Sequence, residues 1–463
     1  MVCFSGVIVI IAVGLFALGV GLHSLMFLCL LWVGLNARYL GYVYLDIRSL
    51  MSEAIARALP AIYIFILIGM VIASFMQSGT IATLMYFGLD WLSPSLFLGV
   101  GMLLCALMSL ATGTSWGTVG TLGVVFIGIG GAMGIPLPLV AGMIVCGATF
   151  GDKMSPISDT TNLAAMSAGS NLYRHIYAML FTTAPSFLLA FLIFLALGSG
   201  YGDSEFAATE VTSIQTALAD SYSMSPFITL IPLIVLAVLS IRKVPAEITM
   251  SISVLVAVLI AILYQGQGSV VVLNALWENT RGNTGIENLD DLLGRGGIAS
   301  MSWTLILALM ALALGGILHG AGFLATLLAG IIERIQHVAA LIATTICSGL
   351  LGNMAMGEAY ISIILNCQLF KEKYQQQRLD QSILSRSVEE GSTLTTGLIP
   401  WTTAGAFYTA TLGVPVLDYL PYAFFNYLNA FVSIGFAFLG IGLLRHAGPL
   451  DLTEPNSEAT STP

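Results

Sequence analysis

Charge is what this sequence has least of. Asp, Glu, Lys and Arg make up 8% of its 463 residues, against 57% hydrophobic ones. A soluble globular domain carries about 25% charged residues, so that class is excluded. The mean hydropathy of +0.94 points instead to an all-α polytopic membrane protein. Cys3, Cys29, Cys105, Cys146, Cys347 and Cys367 are scattered with no C-x-x-C pair. That excludes a disulfide or thiolate-metal framework and leaves small reduced hydrophobes. No basic cluster interleaved with aromatics is present, so nucleic acid is excluded as a partner. The opening "MVCFSGVIVIIAVGLFALGV" lacks a basic leader and a small-residue cleavage motif, and reads as a first span. A phosphate-binding P-loop, a Ser/His/Asp order and H-E-x-x-H are also missing. Hydrolytic enzymes and ATP-driven pumps fall away with them; no cofactor is expected, and the energy source left is an ion gradient.

The few basic residues mark the cytoplasmic side. Val2 to Leu35 is long enough for two spans (residues 1–36), followed by Arg38, Arg48 and Arg57 inside. Ile47, Leu50, Met51, Ala54, Ile55 and Ala58 recur at helical spacing and predict an amphipathic helix along the cytoplasmic face. Arg174 and His175, Arg242 and Lys243, Arg334, the group Lys371, Lys373, Arg378 and Arg386, and finally Arg445 mark later inside turns. Residues 201–299 hold an outer connector with Asp203, Glu205, Glu210 and Asp220, then the linking spans and an outer loop. The sides alternate consistently if 94–128 and 339–370 are hairpins, giving about 10–12 spans with both termini cytoplasmic. The tail 446–463 is polar and reads as disordered.

Three short matches run in the same order through both halves. "SGTIATL" (78–84) resembles "AGFLATL" (321–327), "ATGTSWG" (111–117) faces "LGNMAMG" (351–357), and "DKMSPISDT" (152–160) faces "EEGSTLTTG" (389–397). The last pairs Ser158 with Thr395 and Asp159 with Thr396. Loop charges give the halves, 37–200 and 300–445, opposite orientations, the construction of many secondary transporters.

Polar stretches interrupt the apolar runs at matching places. In "GDKMSPISDTTNLA" (151–164) Pro156 removes a backbone donor, so the helix over 137–170 breaks and restarts near Ser158. Broken helices survive in lipid only around a protein-lined cavity. A hard cation such as Na+ needs oxygen ligands, and Asp152, Ser155, Ser158, Asp159, Thr160 and Asn162 offer them, with Asp152, Ser155, Asp159 and Asn162 as the candidate Na+ ligands. The plainer alternative is that Asp152 and Lys153 pair and pin the break. "SLATGTSWGTVGTLG" is a helix-packing surface or a hairpin tip offering Thr112, Thr114 and Ser115. The second half adds Asn353 and Glu358, then Glu390, Ser392, Thr393 and Thr395 in a second broken helix over 381–412. Glu389 and Glu390 lie near Arg386, as an ordinary ion pair would. Of the five histidines, His319 lies deepest in a predicted span and reads as a satisfied core residue.

"SLATGTSWGTVGTLGV", "GDKMSPISDTTNLAA" and "EEGSTLTTGLIPWTTAGAFYTATLGVP" closely resemble the NhaC family of bacterial Na+/H+ antiporters, within the ion transporter superfamily. The likeness runs from about Leu59 to the last span. It implies paired re-entrant hairpins with tips at Thr112–Thr118 and Asn353–Glu358, breaks at Asp152–Asn162 and Glu389–Thr396, a homodimeric scaffold and an elevator-like moving part. It also implies an inner-membrane location and exchange of Na+, or Li+, for H+ through a shared carboxylate, Asp159 or Asp152. Related carriers of malate and lactate, or of amino acids such as methionine, keep an organic cargo open as the alternative. Carboxylates outnumber deep cations here, which favours the inorganic ion.

Overall fold

Apolar segments in lipid must satisfy their own backbone hydrogen bonds, and a chain this poor in charge does so by coiling into helices. The computed structural model describes residues 2–201, 205–242 and 244–445; among these it is helical with no strand, only an isolated bridge between Leu379 and Arg445. By length and apolarity seven helices can cross a membrane, or up to ten if each bent pair counts as one span. The upper figure meets the lower end of the expected range. The N-terminal run forms two helices, Val2–Ala12, continued by a π turn to Ala17, and Leu22–Tyr39. The expected outer connector contains a helix, Glu205–Ser221, that buries Ile214 and Leu218. The tail 446–463 lies outside the described residues, as do Asp203 and Lys243.

Thirteen helices frame the argument. They are α1 (Tyr44–Arg57), α2 (Leu59–Gln77), α3 (Pro94–Thr112), α4 (Ser115–Ala132), α5 (Leu137–Met154), α6 (Asp159–Ala168) and α7 (Leu172–Ser199). The second half supplies α8 (Ile298–Gly320), α9 (Val338–Met356), α10 (Ala359–Gln376), α11 (Gln381–Gly391), α12 (Thr403–Leu412) and α13 (Phe424–Leu439). Apolar side chains gather into two cores, one around Phe65, Phe97, Met143 and Phe425, the other around Met26, Leu318, Ile342 and Phe370. The amphipathic helix α1 packs against α8 through the face that carries Leu50 and Ala54. A Cβ at Gly316 would lie 2.5 Å from the Leu50 carbonyl and 2.7 Å from the Ala54 Cβ.

Helices α3 and α4 form one hairpin and α9 and α10 another, each a few residues longer than expected: 94–132 and 338–376. Both tips share one geometry. Gly113 (φ 70°, ψ 25°) is followed by extended Thr114, and Gly357 (φ 67°, ψ 6°) by extended Glu358. The left-handed region is what favours glycine at both turns. The breaks also match: Ser158 caps α6, which ends at left-handed Gly169, and Thr402 caps α12, which ends at left-handed Gly413. Gly113 and Gly357, Ser158 and Thr402, and Gly169 and Gly413 all stand 244 residues apart. The matching residues of the two halves therefore differ from those expected from sequence: Ser158 corresponds to Thr402 and Asp159 to Thr403. The second break is longer and holds the extra turn Thr393–Thr396.

Candidate functional site

The first break brings Asp152 against the first hairpin tip. Close packing makes this possible: a Cβ at Gly151 would sit 2.2 Å from the Ala106 carbonyl, so α5 lies directly on α3. The Asp152 Oδ2 accepts from the Ser115 backbone N–H (3.0 Å) and from Ser115 Oγ (2.7 Å), while Oδ1 accepts from Ser158 Oγ (2.7 Å). Thr160 Oγ1 lies 3.1 Å from Ser158 Oγ. The buried carboxylate thus accepts from two hydroxyls and from one amide at the N-terminus of α4, and Thr160 reaches it only through Ser158. In the second half Glu358 Oε2 accepts from Thr403 Oγ1 (2.7 Å), and Oε1 accepts from the Tyr360 N–H at 3.3 Å. The roles are exchanged between halves: the tip carries Thr114 in one and Glu358 in the other, while the helix after the break begins with Asp159 in one and Thr403 in the other.

A cavity of about 810 Å3 joins the two halves, and Asp152, Asp159, Thr114, Ser115, Thr160, Glu358 and Thr393 line it. Other expected ligands do not reach it. Ser155 turns away, its Oγ donating to the Leu110 carbonyl (2.8 Å). Asn162 Nδ2 donates back to the Pro156 (3.0 Å) and Ser158 (2.6 Å) carbonyls, completing the helix start. Thr112 Oγ1 bonds its own helix at the Met108 carbonyl. Ser158 stands behind Asp152, which it supports. Asn353 bridges the second break, Nδ2 donating to the Ser392 carbonyl (2.6 Å) and to Thr395 Oγ1 (2.9 Å), and Ser392 Oγ is 3.0 Å from Ser362 Oγ. The quartet Asp152, Ser155, Asp159 and Asn162 is therefore not assembled. Asp159 is exposed in the cavity and receives the Thr160 N–H (2.8 Å) and the Tyr360 hydroxyl instead.

The profile of the Na+/H+ antiporter family matches residues 147–441, from the approach to the first break through the last helix. The chain belongs to the Na+/H+ antiporter family. It is 39% identical over 435 residues to the Na+/H+ antiporter NhaC of Alkalihalophilus pseudofirmus, covering 94% of each chain. Identity to the Na+/H+ antiporter NhaC of Bacillus subtilis is 34% over 426 residues, covering 92% of this chain and 94% of the other. The malate-2H+/Na+-lactate antiporter of Bacillus subtilis is also 34% identical, over 400 residues, 86% of this chain and 84% of that one. Membership and the apolar helices together make this a multi-pass membrane transporter.

This member of the Na+/H+ antiporter family keeps a second polar cluster behind the cavity. Glu390, expected as a ligand, is fully buried there, its Oε1 3.9 Å from both Lys153 Nζ and Arg386 Nε. Lys153 thus turns to Glu390, and to Asn429 Oδ1 at 3.3 Å. His175, which reads in the sequence as a cytoplasmic marker, is buried between Glu389 Oε2 (2.9 Å) and Ser385 Oγ (2.8 Å), and Thr161 Oγ1 donates to Glu389 Oε1 at 3.0 Å. His319 lines the cavity with Arg57 and Glu247 instead of filling a core. Tyr360, Thr403 and Tyr408 also line it and were missed from sequence. Matching the helix starts after the breaks would have found Thr403, which stands where Asp159 does; nothing in the sequence marks the two tyrosines. Trp116, another wall residue, stacks on Phe407 with ring centres 4.5 Å apart.

Proposed function

We propose that this transporter exchanges Na+, or Li+, for H+, with Asp152 as the carboxylate both ions share. The observation that carries the reading is the oxygen set at Asp152: a buried carboxylate at the cavity that accepts from the Ser115 and Ser158 hydroxyls, with Thr160 beside Ser158 and no hydrogen bond from a nitrogen side chain among the described residues. Hard cations take such oxygens. The hydroxyls now donating to Asp152 turn their lone pairs to an arriving Na+, and a proton on the carboxylate takes the place of a departing one. Moving the site empty and charged across lipid costs roughly 2.5–3.5 kcal/mol or more, so the loaded forms cross and exchange follows. Asp159, exposed in the cavity and held by Tyr360, receives the cation on its way in.

Inverted repeats over 37–200 and 300–445, with re-entrant hairpins and two broken helices, fit this reading, as does the constant spacing of the tips and breaks. Arg57 at the cavity wall, in the segment after Arg38 and Arg48, supports an opening to the cytoplasm with both termini on that side. A homodimer in the bacterial inner membrane completes the reading.

A second reading rests on cavity size: about 810 Å3 admits an organic solute as well as an ion, and one relative is named for malate and lactate. Proteoliposomes loaded with a pH dye separate the two. Na+ alone is expected to drive proton movement in the wild type, and Asp152→Asn to abolish it with the protein still folded. Flux that appears only after malate, lactate or an amino acid is added establishes the organic carrier; wild-type flux in Asp152→Asn removes Asp152 from the mechanism.

A further inference from the structure

The cluster behind Asp152 contains two cations, Lys153 and Arg386, and two carboxylates, Glu389 and Glu390, all fully buried. Glu389 is committed to His175 and Thr161. Among the described residues, Glu390 is the carboxylate within 4 Å of both cations. Its Oε1 also accepts from Thr182 Oγ1 of α7 at 2.5 Å, while its Oε2 has no hydrogen-bond partner among the described residues. Arg386 Nη1 donates to the Ala178 (3.4 Å) and Gly442 (3.0 Å) carbonyls, and its Nε and Nη2 have no hydrogen-bond partner among the described residues.

Charge-assisted hydrogen bonds close to about 2.7–2.9 Å, and a buried pair held for stability needs such geometry to offset desolvation. Two contacts at 3.9 Å and three atoms without hydrogen bonds do not meet that requirement. The arrangement is better suited to balancing charge than to clamping helices. Lys153 is the residue next to Asp152, so an unbalanced cation there repels any cation approaching the site.

We propose that Glu390 is a positioning residue for exchange, whose charge cancels the field of Lys153 and Arg386 at Asp152 so that a cation can bind there; this rests on the reading of Asp152 as the shared carboxylate. Glu390 touches no transported ion. It acts through Lys153 from α11, tying the second broken helix to the first.

The test uses full-length protein in proteoliposomes, with Na+-driven proton flux measured across Na+ concentrations. Glu390→Gln is expected to raise the KM for Na+ on the order of tenfold with little change in maximal rate. Glu390→Asp restores it in part, and Glu390→Gln combined with Lys153→Met, which removes the unbalanced cation beside Asp152, returns the KM toward the wild type. A structural role alone lowers thermal stability and leaves the KM where it was. An unchanged KM in Glu390→Gln, or a double variant whose KM is no better than the single, overturns the proposal. If Glu390→Gln does not fold, the double variant decides: a wild-type-like KM supports the proposal and a raised one contradicts it. Failure of the underlying reading looks different, since it abolishes the dependence of wild-type flux on Asp152.

Discussion

At the scale of single residues the site turns on which atoms a side chain reaches. Ser115 gives Asp152 both a hydroxyl and a backbone amide, so a side-chain deletion removes only part of its contribution. Ser115→Ala is expected to weaken Na+ by about 0.5–1.5 kcal/mol, a several-fold rise in KM, with folding intact because the amide bond remains; an unchanged KM excludes its hydroxyl from the ion's shell. The sequence revealed these oxygens well as types and poorly as directions. Asp152, Ser115 and Thr160 all line the cavity. Ser155 was indistinguishable from Ser158 until the backbone turned one toward Leu110 and the other toward Asp152. The same limit hid Tyr360, whose phenol reaches Asp159 from a different helix 201 residues away.

At the scale of elements, helix starts and stops did most of the organising. Gly, Pro and capping residues were legible as interruptions, and Gly113, Ser158, Gly357 and Thr402 stand at the tips and caps of the structure. The match between halves was not legible, because the short sequence matches lie at offsets of 243, 240 and 237, whereas tips, caps and helix ends share a constant 244. Helix α11 shows what a cap contributes. Asp380 accepts from the Ser382 N–H (2.9 Å) and from Arg174 Nε (2.7 Å). Burial pushes its pKa up, but these donors outweigh burial and hold it below the usual carboxylate value. A depressed carboxylate pKa contributes stability above its unfolded value and loses it as pH falls through the folded one. Asp380→Ala is therefore expected to cost about 1 kcal/mol at neutral pH, with the gap to the wild type closing below about pH 4. Thermal melts in detergent at both pH values check this; a gap that persists in acid contradicts it.

At the scale of the whole molecule, one cavity reaches from Arg57, Glu247 and His319 to the carboxylates of both halves. Composition alone announced a polytopic helical protein, and loop charge gave an expectation of its sidedness. Neither could announce the cavity, which depends on how hairpins and breaks pack. A cytoplasmic opening predicts that Gln368→Cys, on the cavity wall, reacts with a membrane-impermeant thiol reagent in inside-out vesicles and is spared in right-side-out ones. The reverse pattern contradicts that orientation.

The central claim is that Na+ and H+ compete for one carboxylate. Its most direct measurement is proton release on adding Na+ to purified protein in weakly buffered detergent, near the midpoint of the pH dependence of exchange. The account predicts release in the wild type and none in Asp152→Asn. Na+ binding without proton release, or release that survives in Asp152→Asn, contradicts it.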